Sequence, residues 1–327
     1  MHDRGNTSFT EMNTLDACEQ KWVFKYVDGI PDVPGPGATL GTLVHAGVEA
    51  WWQRKDPIAA LASEVHTRLG HVTVPEDIEV LKACADSAEW LLKRYMAYHG
   101  EQPPAGWELV ASELEFDGID VPNTNVQLRG RIDAIARIDN QLWVVETKSY
   151  RNRARLDYLT VDPQITLYTY AAMEVLGVPW IQGELFDGIY TYRWKPDRPS
   201  QAKVIEEAQR VGRSWPTKKA QQEWARAEVA AHPGVDRPLA ESFDRVFLDR
   251  TPEQITAATK QVRNFGERRS ILENLPERAL LSLGQQCSWC PYKAQCHEGL
   301  LFGTQAPGYG APEDPEGAVA AALGEEL

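Results

Sequence analysis

Apolar and polar positions along this chain follow two periods, and the changes between them mark out its elements. Residues 41–54 (GTLVHAGVEAWWQR) place Val44, Val48, Trp51 and Trp52 at helical spacing. Residues 58–69 and 76–99 keep that period, the second through Ile78, Leu81, Ala85, Leu92, Tyr95 and Met96, until Pro103-Pro104 stops it. From 107 to 116 (WELVASELEF) the period becomes two, which predicts a strand with Glu113 and Glu115 on one face. Residues 129–150 read as two further strands joined by a tight turn at Asp139-Asn140. Residues 162–176 return to helix, with Asp162 as cap and Pro163 in the first turn. Residues 180–194 alternate again, as one strand or as a hairpin bent about Asp187-Gly188. Three more helical stretches complete the pattern. They are residues 7–26 from a Ser8 or Thr10 cap, the polar, Ala-rich 201–231 interrupted at Trp215-Pro216, and 252–274 behind a Thr251 cap. Residues 28–37 form a Pro/Gly-rich loop. Strands set among helices predict an α/β fold.

The pair of strands at 129–150 concentrates the chemistry. Asp133 lies on the first, and Glu146 and Lys148 share one face of the second while Thr147 points away. The apolar run Leu142, Trp143, Val144 and Val145 leads into Glu146, so the charges sit at the end of a buried strand. Burial there costs desolvation unless the charges do work. Two carboxylates can hold a hard divalent cation, and a lysine can orient water or steady a developing negative charge. A hairpin with a surface ion pair would use the same residues.

Composition narrows the class. The 327 residues are 43% apolar and 25% charged, as expected for an ordinary globular core. No run approaches a membrane span, and the N-terminus lacks an apolar signal core, so a cytoplasmic protein is expected. The net charge of −13 disfavours loose attraction to phosphates. Part of the excess lies in the acidic tail from Gly303, which reads as disordered, and Arg151, Arg153 and Arg155 form a local basic cluster after Lys148. A reducing compartment gives the five cysteines metal-binding or buried-thiol roles rather than disulfides. Cys287, Cys290 and Cys296 make a C-x2-C-x5-C metal-binding spacing. A fourth ligand is needed, and Cys18, 269 residues upstream, is the candidate, with His297 able to replace one thiol in a zinc site. Cys84, inside a predicted helix, reads as a buried thiol.

Asp133, Glu146 and Lys148 resemble the D-x(n)-E-x-K core of the PD-(D/E)XK nuclease superfamily. Gly130-Arg131-Ile132-Asp133 and Val145-Glu146-Thr147-Lys148-Ser149 are similar to its RecB-like exonuclease branch. The motif G-T-x-x-H-x-G around His45, and Gln164 with Tyr168 as Q-x-x-x-Y, match that branch in order. Cys18 far upstream and the three cysteines downstream resemble its iron–sulfur subgroup, which includes AddB-type repair nucleases and exonucleases of CRISPR adaptation.

The resemblance implies a restriction-endonuclease-like core over 41–200, with a mixed central sheet flanked by helices, an N-terminal segment at 1–40, a helical extension at 201–280, a cysteine segment at 281–302 and a tail at 303–327. It implies a metal site of His45, Asp133, Glu146 and the Thr147 carbonyl, with Glu113 as a further acid, holding Mg²⁺ or Mn²⁺. Lys148, Gln164 and Tyr168 complete the catalytic set, and Tyr168 or Tyr150 is a candidate for stacking on bases. It further implies a structural 4Fe–4S cluster, with zinc as the alternative, and exonuclease action on DNA ends or single strands. A DNA-end-binding adaptor that keeps the fold, and a structure-specific endonuclease, remain as other readings. Repair, phage recombination and CRISPR adaptation, with or without a partner protein, are all compatible settings.

Overall fold

The computed structural model describes residues 5–32, 35–150, 156–191, 201–231, 238–282 and 284–296. Arg151, Arg153, Arg155, Tyr192, His297 and the acidic tail lie outside these residues.

The N-terminal helix predicted over 7–26 is in fact divided. After the short strand β1 (Asn6–Thr7), helix α1 (Phe9–Ala17) starts at Ser8, whose hydroxyl accepts the Glu11 N–H. Cys18 then takes an extended backbone (φ −166°, ψ 116°), and the chain resumes as α2 (Glu19–Trp22) and a π-helical turn at Val23–Val27. The cause is tertiary. The segment around Leu280 crosses here, its carbonyl accepting from Gln20 N–H (3.4 Å) and its N–H donating to the Glu19 carboxylate (2.9 Å).

Three helices follow with proline in each first turn: α3 (Pro36–Trp52), α4 (Pro57–Leu69) and α5 (Pro75–His99). Their apolar sides bury Val44, Val48, Leu81, Leu91 and Tyr95 against one face of the sheet, on Ala134, Val145 and Leu185. Each such fully buried large apolar side chain contributes about 1.5–3 kcal/mol. Gly47 permits the close crossing of α3 and α5, because a Cβ there would lie 2.3 Å from the Leu92 side chain.

The sheet is built from β2 (Glu108–Asp120), β3 (Gln127–Ile138) and β4 (Gln141–Tyr150), followed by α6 (Leu156–Leu159), α7 (Pro163–Leu176) and β5 (Gly183–Tyr190). Beyond α8 (Gln201–Arg210), α9 (Lys218–Ala231) and α10 (Leu239–Ser242) come β6 (Phe243–Asp249) and α11 (Pro252–Asn274). The strands run β1-β3-β4-β5-β6, with β2 also paired to β3. β4 and β5 are parallel, joined across α6 and α7, and the β2–β3, β3–β4 and β5–β6 pairs are antiparallel. Helices α1, α7 and α11 cover the second face, on Ile132, Ile135 and Val144.

The expected turn is present: Asp139 (φ 49°) and Asn140 (φ 64°) both take left-handed backbone, the two-residue form that matches strand twist. Of the two readings of 180–194 the single strand holds: Asp187-Gly188 lies inside the continuous β5, and glycine is needed there because a Cβ would meet the Tyr150 hydroxyl at 2.3 Å. One expectation is corrected. Glu113 and Glu115 do not keep a simple alternation, since Glu113 has φ 47°. Strand β6 was not foreseen: its alternation of Phe243, Arg245 and Phe247 carries a charge at an inward position.

Candidate active site

Strands β3 and β4 pair from Ile138–Gln141 as far as Ala134–Val145. The next residue on each strand is an acid, Asp133 and Glu146. Thr147 donates its N–H to Asp133 Oδ2 (2.9 Å), so a side chain takes the place that a strand carbonyl would fill. Both helical layers deliver groups to this point. From α3, His45 Nδ1 stands 3.5 Å from Asp133 Oδ2. From α7, Gln164 Nε2 donates to Glu146 Oε1 (3.4 Å), and from β4 itself Lys148 Nζ pairs with the same oxygen. The Asp162 cap fixes the start of α7 by accepting the Gln164 N–H at 2.8 Å.

Tyr168, one helical turn beyond Gln164, packs edge-on against Phe116 with ring centroids 5.9 Å apart. That ring rests on Gly130, where a Cβ would stand 2.8 Å from it. The glycine before Arg131 and Asp133 therefore makes room for the aromatic support of Tyr168. Glu113 pairs with Arg131 Nε (2.6 Å) and lies within electrostatic reach of Asp133, Glu49 and His45.

The charges are strongly coupled. Burial pushes Glu146 up to about 7, with Lys148 opposing and Asp133 reinforcing the rise. Burial also acts on Asp133, yet the His45 hydrogen bond and charge, the Thr147 N–H and Lys148 hold it below the usual carboxylate value. Burial lowers the affinity of His45 for its proton, but the Asp133 hydrogen bond and charge, with Glu146 behind, more than offset this and raise it. Lys148 is likewise raised: burial disfavours its charge, and Glu146 and Asp133 outweigh burial. Burial and the Glu146 charge keep the Tyr168 phenol protonated above its ordinary range.

A family model described as the PD-(D/E)XK nuclease superfamily matches residues 6–297. The chain belongs to the PD-(D/E)XK nuclease superfamily. No curated protein matches it. Membership makes the mixed sheet with flanking helices a restriction-endonuclease-like fold, and the chain a nuclease of a class that generally hydrolyses with Mg²⁺ or Mn²⁺. None of the described helices is long and apolar enough to cross a membrane.

Among the described residues no group of three His, Cys, Asp or Glu side chains meets the geometry of a formed metal site. The donor chemistry nevertheless fits a hard cation. Glu146 Oε2 is buried without a hydrogen-bond partner, beside the Asp133 carboxylate. An orphaned, buried carboxylate oxygen is costly unless a cation or donor meets it. At the N- and C-terminal crossing, the Cys296 thiol is pushed up to about 11 by burial, with the Cys290, Cys18 and Cys287 side chains adding to the rise. Tyr292 anchors this segment through its hydroxyl to the Ile30 carbonyl (3.0 Å) and its ring to Phe24 (5.7 Å). Cys84 is the buried thiol expected.

Two polar networks beside the site were not read from the sequence. On one face, Asp187 is fully buried between Arg245 Nη2 (2.6 Å) and the Tyr95 hydroxyl (2.5 Å), with His99 Nε2 3.8 Å away. On the other, Glu184 pairs with Arg250 (2.8 Å) and accepts from Thr169 Oγ1 (2.5 Å). The available signal was an isolated charge inside an alternating apolar stretch, at Asp187 and Arg245.

The raised Glu146 carboxyl sets a pH dependence of stability. Its folded value of about 7 exceeds the ordinary 4.5, so between these pH values the folded chain keeps a proton that the unfolded chain has lost. Stability of the chelator-treated protein therefore falls as pH rises from about 4.5 through about 7, by up to roughly 3 kcal/mol for this one group. Glu184, pushed up to about 7 by burial against the pull of Arg250, adds to the same window. Thermal melts in EDTA should show this fall, and Glu146→Gln should remove part of it. A Glu146→Gln profile as steep as that of wild type would contradict the assignment.

Proposed function

We propose that the chain is a metal-dependent DNA exonuclease that hydrolyses phosphodiesters at ends or in single strands, with a structural metal group on Cys18, Cys287, Cys290 and Cys296. The observation that carries the first part is the gathering of Asp133, Glu146, Lys148, His45 and Gln164 where β3 and β4 cease to pair. Asp133, Glu146, His45 and the Thr147 carbonyl would hold Mg²⁺ or Mn²⁺, with Glu113 as a further acid. When bound, the cation supplies activation of water and neutralisation of phosphate charge. The protein's own groups do the positioning. His45 and the Thr147 N–H fix the Asp133 carboxylate, and Gln164 holds one oxygen of Glu146. Lys148, kept charged by Glu146, offers its ammonium to the water or to the negative charge that develops on the phosphate. Tyr168, supported by Phe116, remains a neutral donor beside it.

The second part is supported by the electrostatic reach of Cys290, Cys18 and Cys287 on Cys296 and by the hydrogen bonds that tie Leu280 to Glu19 and Gln20. A group ligated by all four thiols would staple the two ends around the sheet. A 4Fe–4S cluster is the reading we favour, on the resemblance of the cysteine pattern, and zinc accepts the same donors. Recombination, repair or CRISPR-type DNA processing would use such an activity.

Both parts are testable with the full chain purified without oxygen. End-labelled linear DNA and a covalently closed circle are incubated with Mg²⁺ or Mn²⁺. Loss of the linear form with the circle intact is expected, whereas cleavage of the circle would make the enzyme an endonuclease. Iron, sulfide and zinc are assayed before and after Cys287→Ser. Iron with sulfide, lost in the variant, is expected. Stoichiometric zinc would replace the iron–sulfur assignment, and no metal would remove the staple.

A further inference from the structure

α3 does not end at the active site. From His45 it runs seven residues to Trp52, a rise of about 10 Å. A hydrogen-bonded row follows the same path, since Gln53 Nε2 donates to Glu49 Oε1 (2.7 Å) and Ser112 Oγ (2.8 Å), and Glu49 lies within electrostatic reach of Glu113. At its end, between the last turn of α3 and the start of β2, is a groove of about 860 Å³ lined by Trp52, Arg54, Lys55, Trp107, Val110 and Ser112 among others.

The groove is chemically distinct from its surroundings. Trp52 and Trp107 stack at 5.6 Å with an interplanar angle of 14°, Trp107 is half-buried, and the Val110 side chain is exposed. Trp52 is 3% exposed, and its buried indole N–H has no hydrogen-bond partner among the described residues. Arg54 holds a left-handed backbone (φ 56°) while its guanidinium spans the carbonyls of Pro103, Pro104 and Trp107 at 3.2–3.4 Å. Lys55 is exposed and donates to the neutral Gln53 amide (2.6 Å). The nearby acid, Glu108, faces Arg137 Nε at 3.5 Å. Two cations beside indole surface, in an open groove with its acid paired, suit an extended strand carrying alternating phosphates and bases.

We propose that this groove is a second nucleotide subsite, which takes a phosphate on Lys55 and Arg54 and a base against Trp107 from the strand that leads away from the scissile bond. It rests on the nuclease reading and names where that substrate's distal part is held. The test uses a fluorescein-labelled single-stranded 20-mer in EDTA, with affinity followed by anisotropy across a salt series. Lys55→Gln, an exposed position, should weaken binding about three- to tenfold and lower the salt slope by about 1. Trp107→Ala should weaken it roughly tenfold or more. Lys82→Gln, on α5 and paired with Glu79, serves as the charge-matched control and should bind as wild type does. If the 20-mer binds and Lys55→Gln matches wild type in both affinity and slope, the subsite is wrong and the nuclease reading stands. If the 20-mer does not bind the wild-type chain at all, both fail.

Discussion

Lys148→Ala lowers the single-turnover rate of DNA hydrolysis by about 10²–10³-fold, the usual cost of deleting one donor to transition-state charge, and leaves DNA affinity within a few-fold. The expectation follows from where the ammonium sits. It shares Glu146 Oε1 with Gln164 and faces Asp133, so it is kept charged and held at the parting of the two strands. Its charge has little to do in the ground state beyond that contact. It is placed to meet charge that appears on the phosphate only during reaction, which is why kcat should fall and affinity should not. Glu146 retains the Gln164 contact in the variant and can take up a proton, so the fold should persist. A variant that loses DNA binding in proportion to activity would show that Lys148 serves the ground state instead.

Arg250→Ala is expected to have the largest effect on stability, about 3–5 kcal/mol, because it strips the partner from a fully buried carboxylate. Glu184 is entirely buried, and Arg250 is its counter-charge at 2.8 Å. The same guanidinium donates to the carbonyls of Leu159 (2.9 Å) and Thr160 (3.1 Å), just before the Asp162 cap of α7. Removal therefore leaves a buried carboxylate without its counter-charge, takes one donor from each of two carbonyls, and loosens the turn that sets Gln164 on Glu146. A fall in melting temperature on the order of 10 °C should result. Replacing both members, Arg250→Met with Glu184→Leu, should recover most of the loss, since an apolar pair of similar volume is often as stable as a buried ion pair. Failure of the double variant to recover would mean that the carbonyl contacts, rather than the charge pair, dominate.

Much of this was readable in the chain. Asp139-Asn140 between two apolar alternations specified the hairpin, because both residues tolerate the left-handed backbone that the turn requires. Asp162 followed by Pro163 specified the start of α7, and Thr251 with Gln254 that of α11, through hydrogen bonds local in sequence. The candidate site was legible because its members lie on regular elements, with Glu146 and Lys148 two apart on a strand and Gln164 and Tyr168 four apart on a helix. What was not legible depends on long-range contacts. The break at Cys18 is imposed by Leu280, and the inward position of Arg245 by Asp187 on the neighbouring strand. The support of Tyr168 by Phe116 over Gly130 joins three elements, and no local pattern announces it.

The central claim is tested most directly by single-turnover hydrolysis of end-labelled linear DNA by the purified chain, wild type against Asp133→Asn, with Mg²⁺ or Mn²⁺ and with EDTA. The account predicts shortened strands carrying 5′-phosphates from the wild type with cation alone, and none from the variant or in EDTA. Hydrolysis by Asp133→Asn at the wild-type rate, or hydrolysis that persists in EDTA, would contradict it.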